Sequence, residues 1–443
     1  MKTRVKNVRN NRSGVFIMDI NQICSSLENC PCGIEHKMDL KALYVDSGLL
    51  LQCGEILKKH HFPQRILLVS DQNELKAADG IIEILQNSGF CVKTKIYPDL
   101  RIAAIEDVEL VEALMQDCDG VLSVGSGSCN DICRYSSYRQ NKRFAIFATA
   151  PSMDGFASDS APIITNGFKE SKQARQPEII IADTKILADA PVILKGAGFG
   201  DMVAKYIGLV DWKISHILSG EYYCPQVALL TKKGVDGIVA LADKVTQKDE
   251  KTAGKIFESL VFTGIAMGFV HNSRPGSGAE HIISHFWEIK KMEMGKLSDF
   301  HGRKVGVATL ILNRLYHKIA KIKEVNPQKE NLDWNKIYEV YGKNLEKDIR
   351  SYNTPTTITD GIDPLKIKQH WPEICNIINE TLPDDNVLYE LMLKAGAATS
   401  IEEIDVDDAL YRDGVIYQAY MRRRITLMRL IPMIFGNNFD YFS

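Results

Sequence analysis

Between Arg65 and about Asp183 the chain alternates short apolar runs with stretches of helical period. This rhythm limits what the chain can fold into more than any other feature. Residues 65–70 (RILLVS), 91–97, 120–124, 144–148 and 178–182 read as strands. Residues 74–87, 105–116 and 129–139 read as the helices between them. Near-continuous apolar strands joined by helices predict a doubly wound, mostly parallel α/β sheet covered on both faces. After about Lys185 the rhythm stops. Residues 201–218, 235–244, 255–269, 279–290, 305–322 and 415–430 all read as helices, so the second half is expected to be all-α. The expected division is an N-terminal extension over 1–45 packed on the first domain, a dinucleotide-binding α/β domain over 46–185 and a helical domain over 186–443.

Bulk composition removes several function classes. A net charge of −2 over 443 residues provides no global basic field to recruit nucleic acid. The cluster of Lys2, Arg4, Lys6, Arg9 and Arg12 reads as a solvated terminus. No run approaches the ~20 apolar residues of a membrane span, and Asp19 and Asn21 interrupt the run 15–20 before a signal core could form. A cytoplasmic protein is expected. Its ten cysteines would then be free thiols or ligands rather than a disulfide framework.

The strand over 120–124 runs into Gly125-Ser126-Gly127-Ser128-Cys129-Asn130-Asp131. Glycines there permit a tight turn and close approach of a ligand. The following helix start aims free N–H groups and its positive dipole end at the loop. Asn130 stands where the third glycine of G-x-G-x-x-G would be, so by itself the loop is equally a plain strand–helix turn. Two other strand ends carry related chemistry. Asp71 ends the first strand, where it could bind ribose hydroxyls and favour NAD over NADP, or simply cap the next helix. Thr149-Ala150-Pro151-Ser152-Met153-Asp154-Gly155 ends the fourth.

In the helical half, Gly198-Phe199-Gly200-Asp201 precedes a predicted helix, residues 277–285 open another and His301-Gly302 a third. His281 and His285 lie four apart on one helix face. One aspartate and two histidines make a nitrogen–oxygen donor set for a divalent metal, and three protein ligands leave positions open for substrate. Spacing alone does not choose between His281 and His285. Cys24, Cys30, Cys32 and His36 look superficially zinc-like, but they lack a C-x-x-C pair and no second pair follows.

Taken together, these stretches resemble the bacterial sn-glycerol-1-phosphate dehydrogenases, within the superfamily of glycerol dehydrogenase, iron-type alcohol dehydrogenases and dehydroquinate synthase. The resemblance rests on Cys30-Pro31-Cys32-Gly33 with His36, on 125–131, 149–158 and 198–206, and on Asp211-Trp212-Lys213 and 220–224. It continues through Arg274-Pro275 with 277–287 and His301-Gly302. It implies that Asp71, Gly125, Ser126, Gly127, Ser128, Cys129, Thr149, Ala150, Pro151, Ser152 and Ser158 hold NAD(H) or NADP(H). It implies that Asp154 binds substrate, and that Asp201, His281 and His301 hold zinc or nickel, ahead of iron, with Asp201 also touching substrate. His285 would face the substrate and relay a proton. The implied reaction is hydride transfer between the nicotinamide and C2 of a glycerol phosphate, with the metal acting as Lewis acid on the C2 oxygen. The resemblance also implies a homo-oligomer, a dimer in the first instance, and includes residues 30–33 without assigning them a metal role. Dehydroquinate synthases carry an arginine at a spacing similar to that of Arg274, in contact with an anionic substrate. Arg274 is therefore the first candidate for a phosphate contact, against a surface or capping role, and Lys205 the second. An unphosphorylated polyol dehydrogenase and a dehydroquinate synthase-like lyase are the competing readings; the lyase branch has a glutamate where Asp201 stands.

Overall fold

The computed structural model describes residues 29–442 together with Ser25 and Leu27. Cys24 and the basic N-terminal cluster lie outside the described residues. Eight strands are described: β1 (Ala42–Asp46), β2 (Arg65–Asp71), β3 (Cys91–Tyr97), β4 (Gly120–Gly125), β5 (Arg143–Ala148), β6 (Ser160–Thr165), β7 (Phe168–Gln173) and β8 (Ile179–Asp183). Six of them form one sheet in the order β1-β8-β5-β4-β2-β3, every pairing parallel. The helices interleaved with them are α1 (Cys53–Lys59), α2 (Gln72–Ala77), α3 (Ile81–Asn87), α4 (Ile105–Leu114) and α5 (Gly127–Arg139). The predicted single helix over 74–87 is two, because Gly80 takes φ +82°, a left-handed turn that ends α2 and starts α3.

The strand β1 and the antiparallel hairpin β6–β7 were not anticipated. The hairpin turns on Asn166-Gly167, both at positive φ (+52° and +77°), as a tight two-residue turn requires. That dipeptide is a strong local turn signal.

After β8 every regular element among the described residues is helical: α6 (Thr184–Asp189), α7 (Val192–Val203), α8 (Lys205–Ser219), α9 (Pro225–Val239), α10 (Glu250–Val270), α11 (Ala279–Glu293), α12 (His301–Ala320), α13 (Trp334–Tyr341), α14 (Lys343–Asn353), α15 (Pro364–Thr381), α16 (Asp385–Lys394), α17 (Asp408–Tyr417) and α18 (Leu427–Phe435). The helix predicted over 415–430 is broken. Residues 422–425 leave helical geometry so that Arg424 donates to the Ser277 carbonyl (2.9 Å) and Arg422 to the Lys169 carbonyl (2.6 Å). Contrary to the sequence expectation, α10 is long and apolar enough to cross a membrane. It is instead almost wholly buried: Phe257, Val261 and Ile265 share one core with Val69, Val121 and Ile146 of the sheet. The N-terminal segment reaches past the first domain. Lys41 pairs with Glu178, whereas Cys30 and His36 touch Cys224 and Phe269 of the helical half.

The backbones of α7 and α12 touch. A Cβ on Gly302 would lie 2.0 Å from the Ala197 carbonyl oxygen, and one on Gly200 would lie 2.5 Å from the Gly302 carbonyl oxygen. Glycine at both positions lets Asp201 and His301 face each other. Gly302→Val is expected to push the helices apart and to cost about 3 kcal/mol or more in urea unfolding. Gly361→Ala, at an exposed turn with open space around it, should leave stability nearly unchanged.

Candidate active site

The central strands β2, β4 and β5 end side by side. Asp71, Gly125 and Thr149 therefore come together at the carboxyl edge, where open α/β sheets bind ligands. A cavity of about 420 Å³ opens there, of the size that takes a small ligand, and runs from Asp71 and Ser126–Ser128 to His281, His285 and His301. Asp71, Ser126, Gly127, Ser128, Ser152, Asp154 and Ser158 line it.

Several predicted cofactor residues are not on its wall. Cys129 is buried and directs its thiol at the Val69 carbonyl oxygen (3.2 Å), so its side chain faces the sheet. Gly125 lies over Glu74, where a Cβ would come 2.1 Å from a carboxyl oxygen. Thr149, Ala150 and Pro151 run behind the wall, Thr149 donating to the Gly125 carbonyl and the Pro151 carbonyl closing on Gly198. Asp71 is an N-cap, accepting from the Glu74 amide at 2.8 Å, while also bordering the cavity.

Sequence reasoning missed Glu74. Its carboxyl accepts from the Ser126 amide (2.6 Å) and hydroxyl (3.0 Å), inside the loop predicted to hold phosphate. Burial, with Asp71 nearby, pushes it up to about 8. It is thus neutral at pH 7 and ionises as pH rises through about 8.

At the other end, Asp201 is fully buried. It does not open a helix, as expected, but sits in the last turn of α7. One oxygen accepts from Lys205 (2.8 Å) and lies 3.4 Å from His281 Nε2; the other accepts from the Asp154 amide (2.8 Å). Burial opposes its charge, but Lys205 and the histidines outweigh that and hold the carboxyl well below its ordinary range. Lys205 also pairs with the Asp154 carboxylate at 2.6 Å and is fully buried, so its charge is spent on two carboxylates and not free for a phosphate.

The structure brings Asp201, His281 and His301 together, with one donor atom of each within 4.8 Å of the others. His281 Nδ1 faces Glu280 at 2.7 Å, which leaves Nε2 toward Asp201. A carboxylate behind a histidine is the usual support for a metal-ligating imidazole. Against burial, the two carboxylates push His281 up to about 9, so this point favours positive charge. His301 is pushed down to about 3, chiefly by burial, and its Nδ1 is buried without a hydrogen-bond partner. A carboxylate and two imidazoles so placed fit a divalent cation.

His285 lies one turn beyond His281, its ring centroid 5.7 Å from that of His301. Burial, with Lys169 and Arg422 adding, holds it well below its usual range. An imidazole so held is neutral and can both donate and accept a hydrogen bond. Beside it, Glu288 accepts from Lys169 (2.9 Å) and Lys304 (3.1 Å), and Lys304 also donates to Ser298 (2.9 Å). All four line the cavity. No spacing signal marks these lysines, because Lys169 comes from the hairpin and Lys304 from α12.

The structure sets Arg274, the first candidate for a phosphate contact, apart from the cavity. It is 2% exposed and off the cavity wall, bound to both Glu221 oxygens (2.8 and 2.5 Å), Ser215 (3.1 Å) and the Ile425 carbonyl (2.9 Å). Every arm of its guanidinium is engaged in tying 215–221 to the chain near Ile425.

Because Glu74 is neutral only below about pH 8, affinity for a dinucleotide phosphate at this loop should fall as pH rises through that value. Glu74→Gln is expected to flatten the alkaline limb in a fluorescence titration of NADH. An unchanged limb refutes the assignment.

The family model of iron-containing alcohol dehydrogenases matches residues 44–191. A glycerol-1-phosphate dehydrogenase (NAD(P)+) of Halalkalibacterium halodurans is 30% identical over 408 residues, covering 90% of this chain and 94% of the relative. That of Bacillus licheniformis is 28% identical over 418 residues, covering 93% and 94%. Among solved structures, a mutant of an archaeal alcohol dehydrogenase from a Red Sea brine pool superposes with a TM-score of 0.60 at 13% identity, covering 90% of this chain and 94% of that one. A probable glycerol dehydrogenase of Sinorhizobium meliloti gives 0.53 at 18% identity, covering 84% and 97%. The fold is shared with these enzymes, and by identity over nearly its full length this chain belongs to the glycerol-1-phosphate dehydrogenase family.

Proposed function

We propose that this chain is a divalent-metal-dependent NAD(P)-linked oxidoreductase that interconverts sn-glycerol 1-phosphate and dihydroxyacetone phosphate. The observation that carries the reading is one cavity lined at one end by the two histidines of a carboxylate–bis-imidazole cluster, with Asp201 directly behind them, and at the other by a glycine–serine loop at a helix start. Lysines of a type that binds phosphate stand beside the cluster. The relatives named glycerol-1-phosphate dehydrogenase (NAD(P)+) support the substrate and cofactor.

Asp201, His281 and His301 would hold zinc or nickel, whose Lewis acidity at the C2 oxygen lowers the alcohol's pKa and polarises the ketone. Glu280 orients His281, while Lys205 and the Asp154 amide fix the Asp201 carboxylate. Gly127 and Ser128 at the start of α5 would present their N–H groups and the Ser128 hydroxyl to the dinucleotide pyrophosphate, while Glu74 holds Ser126. Neutral His285 faces the substrate as a hydrogen-bond partner for a hydroxyl. Lys169 and Lys304 outnumber Glu288, so that corner has a surplus positive charge for the phosphate. This replaces Arg274 as the phosphate contact and favours a phosphorylated substrate over plain glycerol. The enzyme is proposed to work as a homodimer.

Asp201→Asn is expected to abolish both metal retention, read by elemental analysis, and NADH-dependent reduction of dihydroxyacetone phosphate; an active metal-free variant refutes the reading. Lys169→Met should raise KM for the phosphorylated substrate at least about tenfold, the loss of a charge-assisted contact of about 1.5 kcal/mol or more. It should leave turnover of plain glycerol unchanged. Equal losses on both substrates would remove the lysine from the phosphate corner.

A further inference from the structure

Away from the cavity, the structure gathers Cys30, Cys32 and His36 of the N-terminal segment around Cys224, almost 200 residues along the chain. One donor atom from each lies within 4.8 Å of all the others. Cys30 Sγ is 3.4 Å from Cys224 Sγ, Cys32 Sγ is 3.3 Å from His36 Nε2, and Cys224 Sγ is 3.6 Å from the same nitrogen. A tetrahedral zinc ion with bonds of about 2.3 Å to sulfur and about 2.0 Å to nitrogen would set edges of roughly 3.8 Å between sulfurs and roughly 3.5 Å from sulfur to nitrogen. The observed spacings are already close to these values.

The surroundings prepare the donors. His36 Nδ1 lies 3.0 Å from the Phe269 carbonyl oxygen, an acceptor that only an N–H can satisfy. The proton is therefore on Nδ1, and the Nε2 lone pair faces the sulfurs. The Tyr222 hydroxyl donates to Cys32 Sγ at 3.1 Å and the Val227 amide to Cys224 Sγ at 3.5 Å, so both sulfurs are already positioned by the fold. Cys224 is the N-cap of α9, which fixes its sulfur at the start of that helix. None of the four residues lines the active-site cavity.

We infer that Cys30, Cys32, His36 and Cys224 form a closed, four-coordinate structural zinc site that pins the N-terminal segment to the helical half. Three sulfurs and one imidazole suit zinc and leave no position open for substrate. The site holds residues 30–40, which form no regular helix or strand, against the start of α9 and the end of α10. Its binding energy contributes directly to folding. The site is independent of the reaction proposed above.

The test uses the full-length protein grown with zinc and purified without added metal. In a variant carrying Asp201→Asn, His281→Ala and His301→Ala, elemental analysis should still find about one zinc per chain. X-ray absorption of that zinc should show three sulfurs at about 2.3 Å and one nitrogen. Adding Cys32→Ser and Cys224→Ser should remove the zinc and lower the melting temperature. Absence of zinc from the triple variant, a zinc without sulfur neighbours, or a Cys30–Cys224 disulfide found by differential alkylation of wild-type protein would each overturn the inference. If the cysteine variants do not fold, absorption by wild-type protein decides, since among the described residues this is the only metal-capable cluster that contains sulfur.

Discussion

Asp201 carries an ionised carboxylate where no water reaches it, and the active-site region is organised around meeting that cost. Burying such a charge unpaired costs several kcal/mol, so its partners must be built in. Lys205 supplies the counter-charge from the next helix, the Asp154 amide supplies a hydrogen bond from the loop after β5, and His281 closes the third side. Each partner comes from a different element. The carboxylate therefore locks the end of the sheet domain to two helices, and its own ionisation depends on all three being in place.

The same constraint explains the glycines. A buried carboxylate can face a histidine on a neighbouring helix only if the two backbones nearly touch, and Gly200 and Gly302 permit that. Charge is then graded along the cavity. The Asp201 end attracts a cation, the Lys169–Glu288–Lys304 corner has surplus positive charge, and the serine loop offers N–H groups with a neutral Glu74 beneath it. An anionic substrate and an anionic cofactor can share such a cavity because each meets its own donors.

Much of the framework was legible in the sequence. Strands β2, β4, β5 and β8 appear as apolar runs, β3 as a mixed one, and the meeting of Asp71, Gly125 and Thr149 at one edge follows from parallel strands that all end on the same side. The breaks were less legible. Gly80 divides a helix, Asn166-Gly167 makes a hairpin, and residues 422–425 leave helical geometry because Arg422 and Arg424 find better partners across the fold. Arg274 shows how little spacing says about partners. Its spacing suggested an anion contact, but Glu221, far away in sequence, takes both sides of its guanidinium.

What the sequence by itself determined was local: a parallel α/β half followed by a helical half, a turn-and-helix start suited to phosphate, and two histidines on one helix face. These depend on periodicity and backbone chemistry within a few residues. Only the tertiary structure decided which histidine meets Asp201, where Arg274 and Lys205 spend their charge, that Lys169 and Lys304 share Glu288, and that Cys224 joins Cys30, Cys32 and His36. Those meetings join residues far apart in the chain. They depend on how helices cross and on which buried charge must be neutralised, and no local pattern in the sequence encodes either.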